Sequence, residues 1–189
     1  MKPRIIEYEE VDSTNEAAKR LVRDGDNEIY GTVITAKRQT AGKGRRGKSF
    51  FSPGGDSIYA SFILPPPENM AEQQITTLAG AAVCEAIKII LQQCKGGNLP
   101  PENMPTIRGV NDVLLDGRKV CGILTEGIPG VVIIGVGINI NLDENDFPEE
   151  LREIAGSLRL SAEERERLFE ILSEVIFDCS GRQDAAPTF

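Results

Sequence analysis

Histidine and tryptophan are both absent from this chain of 189 residues. Without histidine there is no Ser-His-Asp or Cys-His nucleophilic machinery, and most catalytic zinc sites are excluded. Chemistry must then run on carboxylates, lysine, arginine, amides and the substrate's own groups. Reactions that need charge stabilisation more than proton shuttling are favoured, nucleotidyl transfer among them. Cysteine is sparse: Cys84, Cys94, Cys121 and Cys179 are far apart and form no C-x-x-C pair. That argues against a zinc or thioredoxin-type site and predicts free thiols in a cytoplasmic protein. Positive charge is in deficit, with a formal net charge of −8, which argues against general nucleic-acid binding. Long apolar runs are missing as well. The longest, residues 130–140, is too short to cross a bilayer, so no membrane association is expected. Glu7, Glu9 and Glu10 interrupt the N-terminus where a signal peptide would need an apolar core.

What the chain does have is one basic, glycine-rich run, Gly42-Lys43-Gly44-Arg45-Arg46-Gly47, followed by Lys48. It lies between two strand-like segments, residues 31–36 and 57–63. Glycines there permit positive φ and close backbone approach, and successive N–H groups can form an anion-binding nest. The run is not a Walker loop, because no Gly-Lys-Ser/Thr ends it. It is not a dinucleotide fingerprint either, because a strand follows where a helix should open. Such a loop suits a phosphate or carboxylate, and equally fits a solvated surface turn.

The periodicity predicts an α+β domain with a mixed β-sheet packed by helices. Residues 4–9 read as a strand. A helix opens at Asp12-Ser13-Thr14-Asn15-Glu16, where Ser13 and Glu16 fit a capping box. Ile75–Leu91 reads as a mostly buried helix and residues 95–105 as a loop. Three strands are expected at 106–110, 113–115 and 118–125, the last two joined at Asp116-Gly117, a strong hairpin signal. Residues 131–140 read as a strand covered on both faces. Helices are expected at 149–155 and 162–176. No repeat or linker divides the chain, so residues 1–179 are expected to form one domain and 180–189 a flexible tail.

Five segments in this order resemble the catalytic domain of the biotin protein ligases, also called biotin–[acetyl-CoA-carboxylase] ligases. They are Asp12-Ser13-Thr14-Asn15; residues 39–47; Asn111-Asp112; Gly117-Arg118-Lys119-Val120-Cys121-Gly122-Ile123-Leu124; and Gly135-Val136-Gly137-Ile138-Asn139-Ile140-Asn141. The resemblance runs from about residue 5 to about residue 176. It implies the class II synthetase-like fold shared by biotin and lipoate ligases. It also implies formation of biotinyl-5′-AMP from biotin and ATP with Mg²⁺, then transfer of biotin to a lysine of a biotin carboxyl carrier protein. Lys119 would be the main catalytic cation, with Arg45 and Asp112. Ser13, Thr14, Asn15, Gln39, Gly42, Lys43, Arg45, Lys119 and Gly122 would bind biotin. Arg45, Arg46, Phe50, Arg108, Asn111 and Asn139 would face the nucleotide. No metal site beyond the magnesium carried by ATP is implied. Family members are monomers or dimers, so a homodimer is compatible with the resemblance.

Read without the resemblance, Lys119 is a solvated strand-edge lysine beside a turn, and Asn139 and Asn141 terminate a buried strand. The chain also departs from the family. Where the family carries Lys-Trp-Pro before Asn-Asp, this chain has Arg108-Gly109-Val110. A second family tryptophan is Phe50, and Lys43 stands for the usual arginine. No N-terminal DNA-binding domain or C-terminal small domain is expected, hence no DNA partner. Alternative readings are a non-catalytic biotin or acyl-adenylate binding module, a lipoate or other acyl ligase, and a nucleic-acid binder using the basic loop.

Overall fold

The computed structural model describes residues 3–25, 29–55, 57–67, 69–94, 97, 100 and 103–181. Among them, seven strands form one sheet in the order β1-β2-β3-β7-β6-β5-β4. The strands are β1 (Arg4–Val11), β2 (Thr32–Gln39), β3 (Ile58–Leu64), β4 (Thr106–Arg108), β5 (Asp112–Leu115), β6 (Arg118–Ile128) and β7 (Val131–Ile138). Only β1 and β2 pair in parallel, connected through helix α1 (Thr14–Arg23); every other pair is antiparallel. The sheet is therefore mixed, as the sequence predicts.

The two central strands show why their runs are apolar throughout. All seven residues of β3 are buried, as are seven of the eight in β7, Gly137 alone being partly exposed. On one face, Ile34, Ile63 and Ile133 pack under Ala17 and Ala18 of α1. On the other, Phe62, Ile134 and Val136 pack under α2 (Glu72–Cys94) and α3 (Ala162–Gly181), which contribute Val83, Ile87, Leu168 and Leu172. Helix α2 is long and apolar enough to cross a membrane by composition; its buried face lies on this core. Burying each large side chain stabilises the fold by about 1.5–3 kcal/mol.

The Asp116-Gly117 turn is a hairpin with both residues at positive φ, 51° and 76°, matching the twist of β5 and β6. Three expectations need correction. Residues 149–155 do not form an α-helix: a single 3₁₀ turn spans Glu149–Leu151. The backbone beyond it turns to β6 instead, with Lys119 N donating to Ile154 O and Gly156 N to Lys119 O. The capping box at Ser13 is not made, for Ser13 provides no side-chain cap and Gln39 Oε1 accepts from Thr14 N instead. A reciprocal box occurs at α3, where Ser161 N donates to Glu164 Oε2 and Glu164 N to Ser161 Oγ. Finally, the last helix, expected over 162–176, continues to Gly181; residues 182–189 of the expected tail lie outside the described residues, as does most of the loop expected at 95–105. Cys84, Cys94 and Cys121 are free thiols; the side chain of Cys179 is outside the described set.

Candidate active site

A cavity of about 470 Å³ opens on the α1 side of the sheet, between the N-terminus of α1, the basic loop and the β4–β5 turn. Its polar end is built on the start of α1. Gln39 Oε1 accepts from Thr14 N at 2.9 Å and from Thr14 Oγ1 at 3.2 Å, while Gln39 Nε2 donates to Ser52 Oγ. The Ser61 hydroxyl is shared between Thr14 Oγ1 and Asn15 Oδ1. Asn15 Nδ2 reaches Glu126 Oε2 at 2.8 Å and Leu124 O at 3.3 Å. Ser13, Thr14 and Asn15 are all buried, so this end is dry and rich in matched donors and acceptors.

The floor is glycine. Gly122 of β6 faces Gly137 of β7 in register, and Gly135 lies two residues along β7, about 6–7 Å away. A side chain at Gly137 has no room: a Cβ there would stand 2.5 Å from the Phe50 ring, and one at Gly122 2.9 Å from the same ring. The two glycines thus make a flat trough, and the Phe50 ring lies in it, edge-on to Tyr59.

The far end is charged. Lys119 Nζ lies 2.7 Å from Asp112 Oδ1 and 5.6 Å from the Phe50 ring centroid. Asp112 Oδ1 also accepts from Asn111 Nδ2 at 2.9 Å, and Asp112 Oδ2 lies 3.4 Å from Arg108. Arg45 reaches over from the basic loop, its Nη1 donating to Asn111 Oδ1 at 3.1 Å. Two cations from opposite walls are thereby held near one point by an amide–carboxylate pair. The loop itself closes through Gly44 N to Lys48 O at 2.7 Å. Positive φ falls on Gly47 and on Arg46, at 75° and 57°, and not on Gly44, at −120°. Lys43 Nζ is bonded to Glu16 on α1.

Most of the site residues expected from sequence line this cavity: Ser13, Thr14, Asn15, Gln39, Lys43, Arg45, Arg46, Phe50, Arg108, Asn111, Asp112, Lys119 and Gly122. Gly42 and Asn139 do not. A Cβ at Gly42 would meet Phe50 O and Ser52 Oγ, so its lack of a side chain serves the loop's own neck. Asn139 is buried and donates from Nδ2 to Gly156 O at 3.0 Å, tying the end of β7 to the returning chain. Sequence reasoning missed Leu151 and Ile154, which form an outer apolar wall; their contact with the site arises from the 149–156 segment folding back on Lys119, for which there is no local signal. Gly135 and Gly137 stood within a recognised motif without an assigned place. Cys121, beside Lys119 in sequence, is fully buried and its thiol is pushed well up by desolvation, so it is not a nucleophile. Among the described residues, no cluster of three or more acidic, cysteine or histidine side chains is placed to hold a metal.

Comparison with known proteins places the chain among relatives. Residues 8–143 match the model of the biotin/lipoate A/B protein ligase family. Over 171 residues the chain is 35% identical to the bifunctional ligase/repressor BirA of Bacillus subtilis, covering 87% of this chain and 49% of that protein. It is 34% identical over 134 residues to the biotin–[acetyl-CoA-carboxylase] ligase of Paracoccus denitrificans, covering 69% of this chain and 51% of that one. The chain thus spans about half the length of these curated relatives. Among solved structures, the biotin protein ligase of Aquifex aeolicus in complex with biotin and ATP superposes with a TM-score of 0.73 at 31% identity, covering 95% of this chain and 72% of that one. By fold, matched segment and sequence identity, the chain belongs to the biotin/lipoate A/B protein ligase family.

Proposed function

We propose that this chain carries the catalytic domain of a biotin protein ligase. It would condense biotin with ATP, entering as its magnesium complex, to give biotinyl-5′-AMP and pyrophosphate. The biotinyl group would then pass to a lysine of a biotin carboxyl carrier protein. The observation that carries this reading is the order of features along one trough: a buried polar end at Thr14 and Gln39, a glycine floor at Gly122 and Gly137, and the cations Lys119 and Arg45 beyond it. Biotin has the same order, a cyclic urea, an aliphatic stem and a carboxylate.

The chemistry fits a site without histidine. A carboxylate is already a nucleophile at neutral pH, so no base is needed for attack on the α-phosphorus. One carboxylate oxygen bonds to phosphorus as the bond to the pyrophosphate oxygen breaks. Both reactants are anions, and charge grows on the α-phosphate oxygens. Lys119, 2.7 Å from Asp112, and Arg45, whose present partner Asn111 is a neutral amide, would offset that charge. Removing one such group in a preorganised site costs about 10²–10³ in rate. Asp112 would keep Lys119 aimed and is the cavity carboxylate available to the magnesium of ATP, which needs only one or two. Ser13, Thr14 and Gln39 would exchange bonds with the urea. Arg46, Phe50, Arg108, Asn111 and the Leu151–Ile154 wall would meet the nucleotide. In the second step the acceptor amine attacks the acyl carbon and AMP leaves with the mixed-anhydride oxygen.

Biotin-dependent ATP–pyrophosphate exchange tests the reading, with lipoate and octanoate in parallel. Exchange with biotin alone is expected. Exchange with another acid would move the protein to that activity, and no exchange from a folded sample that binds biotin would make it a binding module.

A further inference from the structure

Glu16 stands on the first turn of α1, outside the lining of the cavity. Its Oε1 is shared by two lysines, Lys19 Nζ at 2.8 Å and Lys43 Nζ at 2.7 Å. Lys19 continues to Glu126 Oε1 on β6 at 2.6 Å, and Glu126 Oε2 accepts from Asn15. One end of this chain of charges is therefore fixed in the sheet, and the other ends on the basic loop.

The loop has few other holds. Its neck is closed by Phe50 N to Gly42 O at 2.8 Å and its tip by Gly44 N to Lys48 O. Among the described residues, two polar side-chain contacts join residues 43–49 to the rest of the chain: Lys43 to Glu16 on one wall and Arg45 to Asn111 on the other. The two differ in kind. Lys43 faces a carboxylate, so its charge is already met. Arg45 faces a neutral amide, so its charge stays available to an anion. The Lys43 contact can persist while Arg45 changes partner.

We propose that Glu16 is a positioning residue. It anchors the basic loop through Lys43, so that Arg45 can exchange Asn111 for an anionic ligand without the loop leaving the cavity. Its link to biotin rests on the function proposed above; the anchor itself does not. Of the loop's cations, Lys43 is the hinge pin and Arg45 the anion-binding group.

Limited trypsin digestion of the ligand-free chain, followed by mass spectrometry at the Arg45 and Arg46 cleavage sites, reads the anchor directly. Glu16→Gln is expected to speed cleavage several-fold. Lys43→Gln, which leaves the Glu16–Lys19–Glu126 series in place, should do the same. The double variant should go no further than either single one, the pattern of residues that act as one pair. Lys43→Arg should retain the wild-type cleavage rate. With biotin bound, Glu16→Gln should raise the dissociation rate about three- to tenfold while the exchange rate at saturating biotin changes less than twofold. Unchanged cleavage in both single variants, or effects that add in the double, would overturn the anchor. If the wild-type chain binds no biotin, the proposed function fails, and the digestion still decides the anchor.

Discussion

Lys119 and Asp112 face each other across the β5–β6 hairpin with 2.7 Å between ammonium and carboxylate. The hairpin turn at Asp116-Gly117 fixes their strands, and a register shift between Val113 and Leu114 brings the pair onto one side. Lys119→Ala is expected to lower biotin-dependent pyrophosphate exchange by about 10²–10³ without unfolding the chain, since Arg108 remains near Asp112. A normal exchange rate in a folded variant would remove Lys119 from the reaction.

The trough admits no side chain on its floor. Gly137→Ala would place a methyl group where the Phe50 ring now lies, 2.5 Å from the nearest ring carbon. We expect biotin affinity to fall at least about tenfold, with overpacking costing about 1–3 kcal/mol of stability. Titration calorimetry and thermal unfolding measure the two effects. Unaltered affinity would mean that the ligand does not lie on these glycines.

Phe50 occupies the surface that the ligand's aliphatic stem would need. Binding must then move the ring. Phe50→Ala is expected to raise the biotin association rate several-fold in stopped-flow measurements, and to weaken ATP binding because the aromatic cover is lost. An association rate unchanged from wild type would show that the ring is not in the way.

Acid should weaken this fold in a defined window. Arg20 holds the Asp12 carboxyl near pH 2, below its ordinary 3.8, and Lys19 and Lys43 hold Glu16 near 2, below its ordinary 4.5. As pH falls, the unfolded chain takes up these protons before the folded one does, so stability is full above about 4.5 and declines down to about 2. Urea denaturation between pH 7 and pH 2 should show the decline, and Glu16→Gln should flatten it. An equal slope in the variant would remove Glu16 as a contributor.

Much of this molecule could be read from its sequence, for identifiable reasons. The strands and the helices α1, α2 and α3 carry their own periodicity, and Asp116-Gly117 its own turn chemistry. The concentration of cations at 43–48 marked the loop that covers the cavity. The failures share one cause, contacts between distant segments. Ser13 and Glu16 have the spacing of a cap, but Gln39, twenty-five positions beyond Thr14, takes the helix N–H, and Lys43 takes the carboxylate. Residues 149–155 have helical composition, yet the Ile154 carbonyl and the N–H of Gly156 just beyond pair with Lys119. The pairing of Gly122 with Gly137 is a property of strand register, and no stretch of sequence contains it.

The returning segment has a consequence for timing. Lys119 gives its amide hydrogen to Ile154 and receives one from Gly156, so both of its backbone polar groups are held by the returning segment. Arg45 sits on a loop with a narrow neck. Under the proposed function, the two cations that would converge on one phosphate would keep different clocks: one held in place by the sheet, the other moving with the loop as the cavity fills and empties.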